Sequence, residues 1–186
     1  MLTKHQHKIN KLHIISVLLI FVCFQGCSSK YTVPSSKRSQ YDGEINQHVR
    51  LIKAPKQRIF HILTDEKSFR AICPDGTIVT HESEPPYRVG SLINTEIDHI
   101  FNLRWHSQVM EVVPGKRIRL QFVDGFFAGG TEIWELESKG NFTRTSHTII
   151  VQVNGFLKKL AWGLKVRRKH DNMVEIFLDN LKSLAE

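Results

Sequence analysis

Apolar and polar residues alternate along 44–54 (EINQHVRLIKA), the period-two pattern of a half-buried strand. Pro55 follows, at a helix start where its missing N–H costs nothing. Ile59, Phe60 and Leu63 then recur at helical spacing and predict a short helix ending near Thr64-Asp65. Phe69, Ala71 and Ile72 predict a second short helix, stopped by Pro74-Asp75-Gly76. Short runs between turn residues predict six more strands, over 77–83, 91–97, 103–113, 117–123, 131–137 and 142–153. The punctuation is Glu84-Pro85-Pro86, Pro114-Gly115-Lys116, Gly125 with Gly129-Gly130, and Gly140-Asn141. No helix fits between these strands, so neighbours are expected to pair as an antiparallel meander. A long helix is predicted over 156–185. Phe156, Leu157, Leu160 and Leu164 share one face; Val174, Phe177, Leu178, Leu181 and Ala185 continue an apolar face out of phase with the first. That break predicts a bend across 167–172. The fold class is therefore α+β, a curved antiparallel sheet of about seven strands around a long C-terminal helix, with two short helices after the first strand.

Ahead of this body the chain changes character. Lys4, Lys8 and Lys11 precede a continuous apolar run, residues 14–24 (IISVLLIFVCF), and Gln25-Gly26-Cys27-Ser28-Ser29 follow it. Such a run is too short to cross a bilayer and has the length of a signal-peptide core. A small residue before Cys27 and serines after it resemble the lipobox of bacterial lipoproteins, with Phe24-Gln25 standing where that family has Leu and a small residue. The resemblance implies cleavage before Cys27 and lipidation of Cys27, so residues 1–27 read as a signal peptide with a lipobox-like end; the alternatives are an ordinary signal peptide or an uncleaved N-terminal anchor. Each acyl CH₂ buried in a bilayer contributes about 0.8 kcal/mol, and several chains on one residue hold a protein there stably. Residues 28–44 are polar, rich in Ser and Lys and without periodicity, and read as a flexible tether to a domain over 45–186. The location implied is the bacterial cell envelope, as a membrane-anchored lipoprotein facing the periplasm or the exterior.

Composition agrees with a globular body: 41% apolar and 24% charged residues over 186 positions, enough for one domain with its own core. The net charge is +8, of which Lys4, Lys8 and Lys11 supply three. The excess favours anionic surfaces, yet no zinc-finger spacing, basic zipper or RNA-binding signature accompanies it, so no nucleic-acid partner is expected. Cys23 and Cys27 lie in the leading segment, which leaves Cys73 alone in the body. A disulfide framework is excluded, and Cys73 reads as a small buried hydrophobe. His61, His81, His99 and His106 fall on different elements without HxH or HExxH spacing, so neither a metal nor a cofactor is expected. The densest basic run is Lys158, Lys159, Lys165, Arg167, Arg168 and Lys169. Of these, Lys158, Lys165, Arg168 and Lys169 fall on one side of the predicted helix, next to Trp162. They form either a solvated face or a contact for anionic lipid heads, where each base contributes about 1 kcal/mol. A monomer is expected.

A sheet that curves around a helix leaves a space between them, and strand alternation assigns the side chains that face it. They are Ile93, Thr95 and Ile97; Trp105, Ser107 and Val109; Ile118, Leu120 and Phe122; Trp134 and Leu136; and His147, Ile149, Val151 and Val153, with Leu160, Leu164, Val174 and Phe177 from the helix. The candidate ligand-binding residues are all of these except Ile118, Val151, Val153, Leu160 and Val174. They either fill a dry core or line a cavity. Thr95, Ser107 and His147 are the polar members, and pockets use few such groups to orient a ligand; the alternative for His147 is a hydrogen-bonded core histidine. Glu132, Glu135 and Glu137 read as a solvated strand face and not as an acid–base pair. Residues 125–130 (GFFAGG) join two strands, whereas a phosphate loop joins a strand to a helix. Phe126-Phe127 read as a pocket lip or a membrane-touching tip. No catalytic residue is assigned.

Over about 45–186 the chain resembles the helix-grip fold of the START-like, polyketide cyclase–dehydrase and pollen-allergen superfamily, SRPBCC. The elements that carry the resemblance are Ala54-Pro55 before Ile59-Phe60 and residues 63–65, Val89-Gly90-Ser91, residues 109–114 before Lys116-Arg117-Ile118, Gly130-Thr131 with Trp134, and the ending Phe177-Leu178-Asp179-Asn180-Leu181-Lys182. The resemblance implies a hydrophobic or amphipathic small molecule (a lipid, quinone or polyketide-like compound) held between the sheet and the last helix. Some members catalyse cyclisation or dehydration, so an enzyme in the same cavity is a second reading. An envelope interaction protein without a ligand is the third.

Overall fold

The computed structural model describes residues 43–98, 103–152 and 155–186. The signal segment with Cys27, most of the tether, His99 and Val153 lie outside the described residues, as do the side chains of Leu157 and Lys158. Among the described residues seven strands form one antiparallel sheet: β1 (Glu44–Ile52), β2 (Thr77–His81), β3 (Leu92–Ile97), β4 (Leu103–Val113), β5 (Arg117–Phe122), β6 (Thr131–Lys139) and β7 (Phe142–Val151). Two short helices, α1 (Lys56–Thr64) and α2 (Glu66–Ile72), separate β1 from β2. The fold is α+β and helix-grip in form.

From β2 to β7 each strand pairs with the next, and β1 pairs with β7, so the sheet runs β1-β7-β6-β5-β4-β3-β2. This places β1 and β2 on opposite edges, and α1 and α2 carry the chain between them. Pro55 precedes α1 and its carbonyl accepts from the N–H groups of Arg58 and Ile59. Asp65 caps α2 by accepting from Ser68 N at 2.9 Å and Ser68 Oγ at 2.7 Å, which satisfies donors the first turn would leave orphaned. The β4–β5 register shifts between Val109 and Glu111. An extra residue in one strand bends it and increases its twist, so the shift helps curl the sheet.

The last helix departs from its expected form. It runs as α3 (Phe156–Ala161), a five-residue π-helical turn (Trp162–Val166) and α4 (Arg167–Ala185). The break in phase expected across 167–172 thus sits one turn earlier. The buried face reads Trp162, Val166, His170, Val174, Phe177, Leu178, Leu181 and Ala185. Leu164, expected on the cavity side, is instead 74% exposed, and Leu160 is also outside. Two residues span about 200° around a helix, so Trp162 and Leu164 cannot both face inward; the larger side chain is the buried one.

Apolar packing falls into two clusters. One joins β1, α1, α2 and α4 to the sheet through fully buried Ile52, Ile59, Ile72, Val109, Leu178 and Leu181. The other surrounds the π turn, with Trp105, Phe122, Phe127, Ile149, Trp162 and Val166. Each fully buried side chain of this kind contributes about 1.5–3 kcal/mol.

Phe127 reaches the second cluster because the loop after β5 doubles back. Gly125 has φ +71°, and a Cβ there would stand 2.5 Å from the Arg104 carbonyl oxygen. Glycine alone relieves both constraints. Phe127 is 4% exposed and sits edge-on to Trp105 at 5.3 Å and Trp162 at 6.2 Å. The lip or membrane tip expected of Phe126-Phe127 is therefore corrected: Phe127 is an internal wall, and Phe126 packs on it at 5.2 Å.

The same loop is tied to β4 by Asp124, which accepts from His106 N at 2.7 Å and lies 2.6 Å from His106 Nδ1. That side-chain bond raises the His106 pKa above its ordinary 6.5. The backbone and side-chain bonds from His106 hold the Asp124 carboxyl below its ordinary 3.8. The imidazolium's contribution is complete below its unfolded value and is lost as pH rises through the folded one; the carboxylate's is complete above its unfolded value and is lost as pH falls. The clip therefore stabilises most between about pH 4 and 6.5. Both groups are partly exposed, so the gain stays below about 1 kcal/mol. Urea midpoints of wild type and Asp124→Asn should differ most inside that window, and a gap that widens toward pH 9 would contradict the assignment.

Candidate functional site

Strand register builds the site in rows across the sheet. Ile118, Trp134, His147 and His48 lie opposite one another on β5, β6, β7 and β1. The adjacent row is Val109, Leu120, Glu132, Ile149 and Asn46. Ile93, Ser107 and Phe122 make a third row. Alternation turns these side chains to one face, and α4 lies over part of that face.

Between sheet and helix lies a cavity of about 90 Å³. Of the residues expected there, Ile93, Thr95, Trp105, Ser107, Leu120, Phe122, Trp134, His147, Ile149 and Phe177 line it, together with Ile118 and Val174. Ile97, Val109 and Leu136 are instead buried in the surrounding core without reaching the cavity. Leu164 is on the outside for the reason given above. Cys73 packs against the first cluster and lies 3.4 Å from the Phe69 carbonyl oxygen. Burial pushes its thiol up to about 12, so it is an inert hydrophobe at neutral pH.

Sequence reasoning placed Glu132 on a solvated face, and the structure corrects this. Glu132 lines the cavity, with Oε1 accepting from Trp134 Nε1 at 2.8 Å and 3.0 Å from His147 Nε2. Burial works to raise this carboxyl. The hydrogen bond and charge of His147, the Trp134 N–H and His170 outweigh it and hold the group below the usual carboxylate value. The His147 ring packs 4.4 Å from Trp134 and stacks on His170 at 6.0 Å. His147 Nδ1 has no hydrogen-bond partner among the described residues. The signal for Glu132 was in the sequence: it has the same parity as Trp134 and Leu136. His170 could have been found from its four-residue spacing to Val174.

Further polar groups come from the β2 side. His81 and Tyr87 line the cavity, their rings 5.4 Å apart. Burial lowers the His81 pKa, while burial and the nearby Glu132 charge raise that of the Tyr87 phenol. Both side chains also border a polar groove of about 480 Å³ lined by Asp65, Glu66 and residues 82–86. His81 and Tyr87 therefore separate an apolar interior from an open exterior. The arrangement is an apolar chamber with a carboxylate–imidazole pair in its wall and one thin side.

No protein-family model matches the chain, and no curated protein matches it. Solved structures do. TTHA0849 from Thermus thermophilus aligns with a TM-score of 0.62 at 17% identity, over 75% of this chain and 95% of that one. The Aha1 dimer from Colwellia psychrerythraea aligns at 0.60 and 18%, over 77% and 96%. KanY, solved in solution, aligns at 0.63 and 12%, over 78% and 99%. At such identities the likeness concerns the fold alone, and that fold is the helix grip: a curled seven-stranded sheet closed by two short helices and a long C-terminal one.

Proposed function

We propose that the body binds a small amphipathic molecule in this cavity, with its apolar skeleton against Trp105, Leu120, Trp134 and Phe177 and its hydrogen-bonding end at Glu132 and His147. The observation that carries this reading is the carboxylate–imidazole pair, a buried His147 against a part-buried Glu132, in the wall of an apolar chamber. Such a pair adds little stability over apolar residues of the same volume, and a few polar groups on an apolar lining are what orients a ligand. A cavity of about 150 Å³ in another protein accepts benzene. The present one, at about 90 Å³, is smaller, so it holds at most a short chain or a small polar end unless a wall moves. A quinone, lipid or polyketide-like compound of the START-like class enters further only if the His81–Tyr87 wall moves toward the groove outside it.

The 3.0 Å contact of Glu132 with His147 is also acid–base geometry. It favours dehydration or cyclisation of the bound molecule as the second reading. Location is inferred from sequence: lipidation at Cys27 with residues 28–44 as tether. Exposed Phe156, Leu160 and Leu164 lie beside Lys159, Lys165 and Arg168, a combination suited to an anionic membrane surface.

Native mass spectrometry of the purified chain should find a co-purifying organic molecule. After stripping, an apolar fluorescent probe should bind saturably and quench Trp105 and Trp134. A protein that emerges empty and takes up no probe removes the binding reading. Turnover that vanishes in His147→Ala while probe binding persists would transfer the conclusion to the enzyme. In the same preparations Cys27→Ala should move from the membrane to the soluble fraction; an unchanged membrane fraction removes the anchor.

A further inference from the structure

Beside the cavity, where α4 packs on the edge strand β1, three metal-ligating side chains converge. One ligand atom each from His48, His170 and Asp171 lies within 4.8 Å of the others. His48 Nε2 is 3.2 Å from Asp171 Oδ1, and His170 Nδ1 is 4.0 Å from the same oxygen. We propose that these residues form a divalent transition-metal site, with zinc as the ion their chemistry fits best, and that the ion fastens α4 to β1.

Three features separate this cluster from an ordinary group of surface charges. His170 is 6% exposed, and its Nδ1 is a buried nitrogen with no hydrogen-bond partner among the described residues. Leaving such an atom unpaired is costly unless something completes it, and the nearest carboxylate oxygen, Asp171 Oδ1 at 4.0 Å, is too far to hydrogen-bond it but near enough to share an ion with it. Second, His48 is already oriented as a ligand. Its Nδ1 is 2.6 Å from Glu175 Oε1, and Arg50 holds Oε2 of that carboxylate at 2.6 Å. A carboxylate on one ring nitrogen fixes the proton there and leaves the other nitrogen's lone pair for a metal. Third, Asn46 Nδ2 donates to Asp171 Oδ1 at 2.7 Å, which steadies the carboxylate and leaves it a lone pair.

The dimensions agree with the ion. Zinc bonds of about 2.0–2.1 Å to imidazole nitrogen and carboxylate oxygen imply ligand separations near ~3.3 Å in a tetrahedron. The 3.2 Å edge already has that length; the 4.0 Å edge and the His48–His170 edge, within 4.8 Å, close by side-chain rotation when an ion enters. Three protein ligands leave a fourth position for water or another donor. Asp171 is part-exposed, which supplies an entry path. His170 also lines the cavity, so the site adjoins the proposed pocket and is distinguished from it by His48 and Asp171, which do not line it.

The test uses the full chain, stripped with chelator and titrated with ZnCl₂ or CoCl₂, and followed by calorimetry, cobalt d–d absorption and thermal melting. Wild type should take up one ion per chain more than Asp171→Asn and should melt at a higher temperature when zinc is added; Asp171→Asn should show no such rise. His5, His7 and His13 are common to both and cancel in the comparison. Glu175→Gln retains all three ligands, so it tests the site even if Asp171→Asn fails to fold. It should weaken the extra ion's binding about 10–100-fold. Equal stoichiometry, affinity and melting response in wild type and Glu175→Gln would overturn the site.

Discussion

Glu132→Ala is expected to lower stability by about 2–4 kcal/mol, because it leaves the buried His147 ring and the Trp134 N–H without their shared acceptor. The carboxylate is the partner of His147 Nε2 and Trp134 Nε1, and the substitution orphans both in a low-dielectric chamber. The cost comes from the groups left behind and not from any large net gain in the intact pair. The double variant Glu132→Met, His147→Leu should therefore recover most of the loss or exceed wild type. Glu132→Gln, which keeps an acceptor for Trp134, should stay within about 1.5 kcal/mol of wild type. Urea unfolding of the three variants checks the order. Under the binding reading, the double variant should also fail to hold a ligand with a polar end while remaining folded. If Glu132→Ala proved neutral, the carboxylate would have to lie in solvent, and the proposed polar end of the pocket would be lost with it.

Trp162→Ala should cost about 3–5 kcal/mol, as large aromatic truncations in cores do, whereas Leu164→Ala should change stability by less than about 0.5 kcal/mol. Trp162 is 1% exposed and supports Phe127, which in turn touches Trp105 and Phe122. Its removal joins new space to the cavity and loosens the loop that Gly125 folds inward. Hydrophobic counting along the helix ranks the two positions the other way, with Leu164 in the apolar stripe. Thermal melts of the two single variants decide between the alternatives, and a larger loss for Leu164→Ala would place the π turn elsewhere.

That contrast shows where local pattern stops informing. Residues 103–113 form β4 with the bounds alternation predicts: Trp105, Ser107 and Val109 are buried while Arg104, Gln108 and Met110 are exposed, and Pro114-Gly115-Lys116 forces the turn. The expected order of strands and helices is likewise the observed one. Burial of a helix face depends on phase, and one extra residue in a turn rotates everything beyond it by about 100°; the out-of-phase stripes announce a break but not that it falls at Trp162–Val166. Glu132 was legible by parity but was read by charge, since a carboxylate on a strand usually faces water. Its partner His147 lies 15 residues away, delivered by the β6–β7 hairpin. His48 and His170 meet only because β1 pairs with β7 and α4 returns across that edge. Two histidines on distant elements carry no spacing that would mark them.

The pairing of β1 with β7 also bears on how the chain reaches this structure. Gln47 and Thr148 touch although they are 101 residues apart in sequence. Closing so long a loop costs entropy before any contact repays it, and topologies rich in distant pairings fold slowly, on the order of milliseconds to seconds. Strand β1 must wait for β7, and until β7 emerges its pairing edge has no neighbour. Chains stopped anywhere before about residue 150 keep that edge unsatisfied, and unpaired strand edges invite association with other copies.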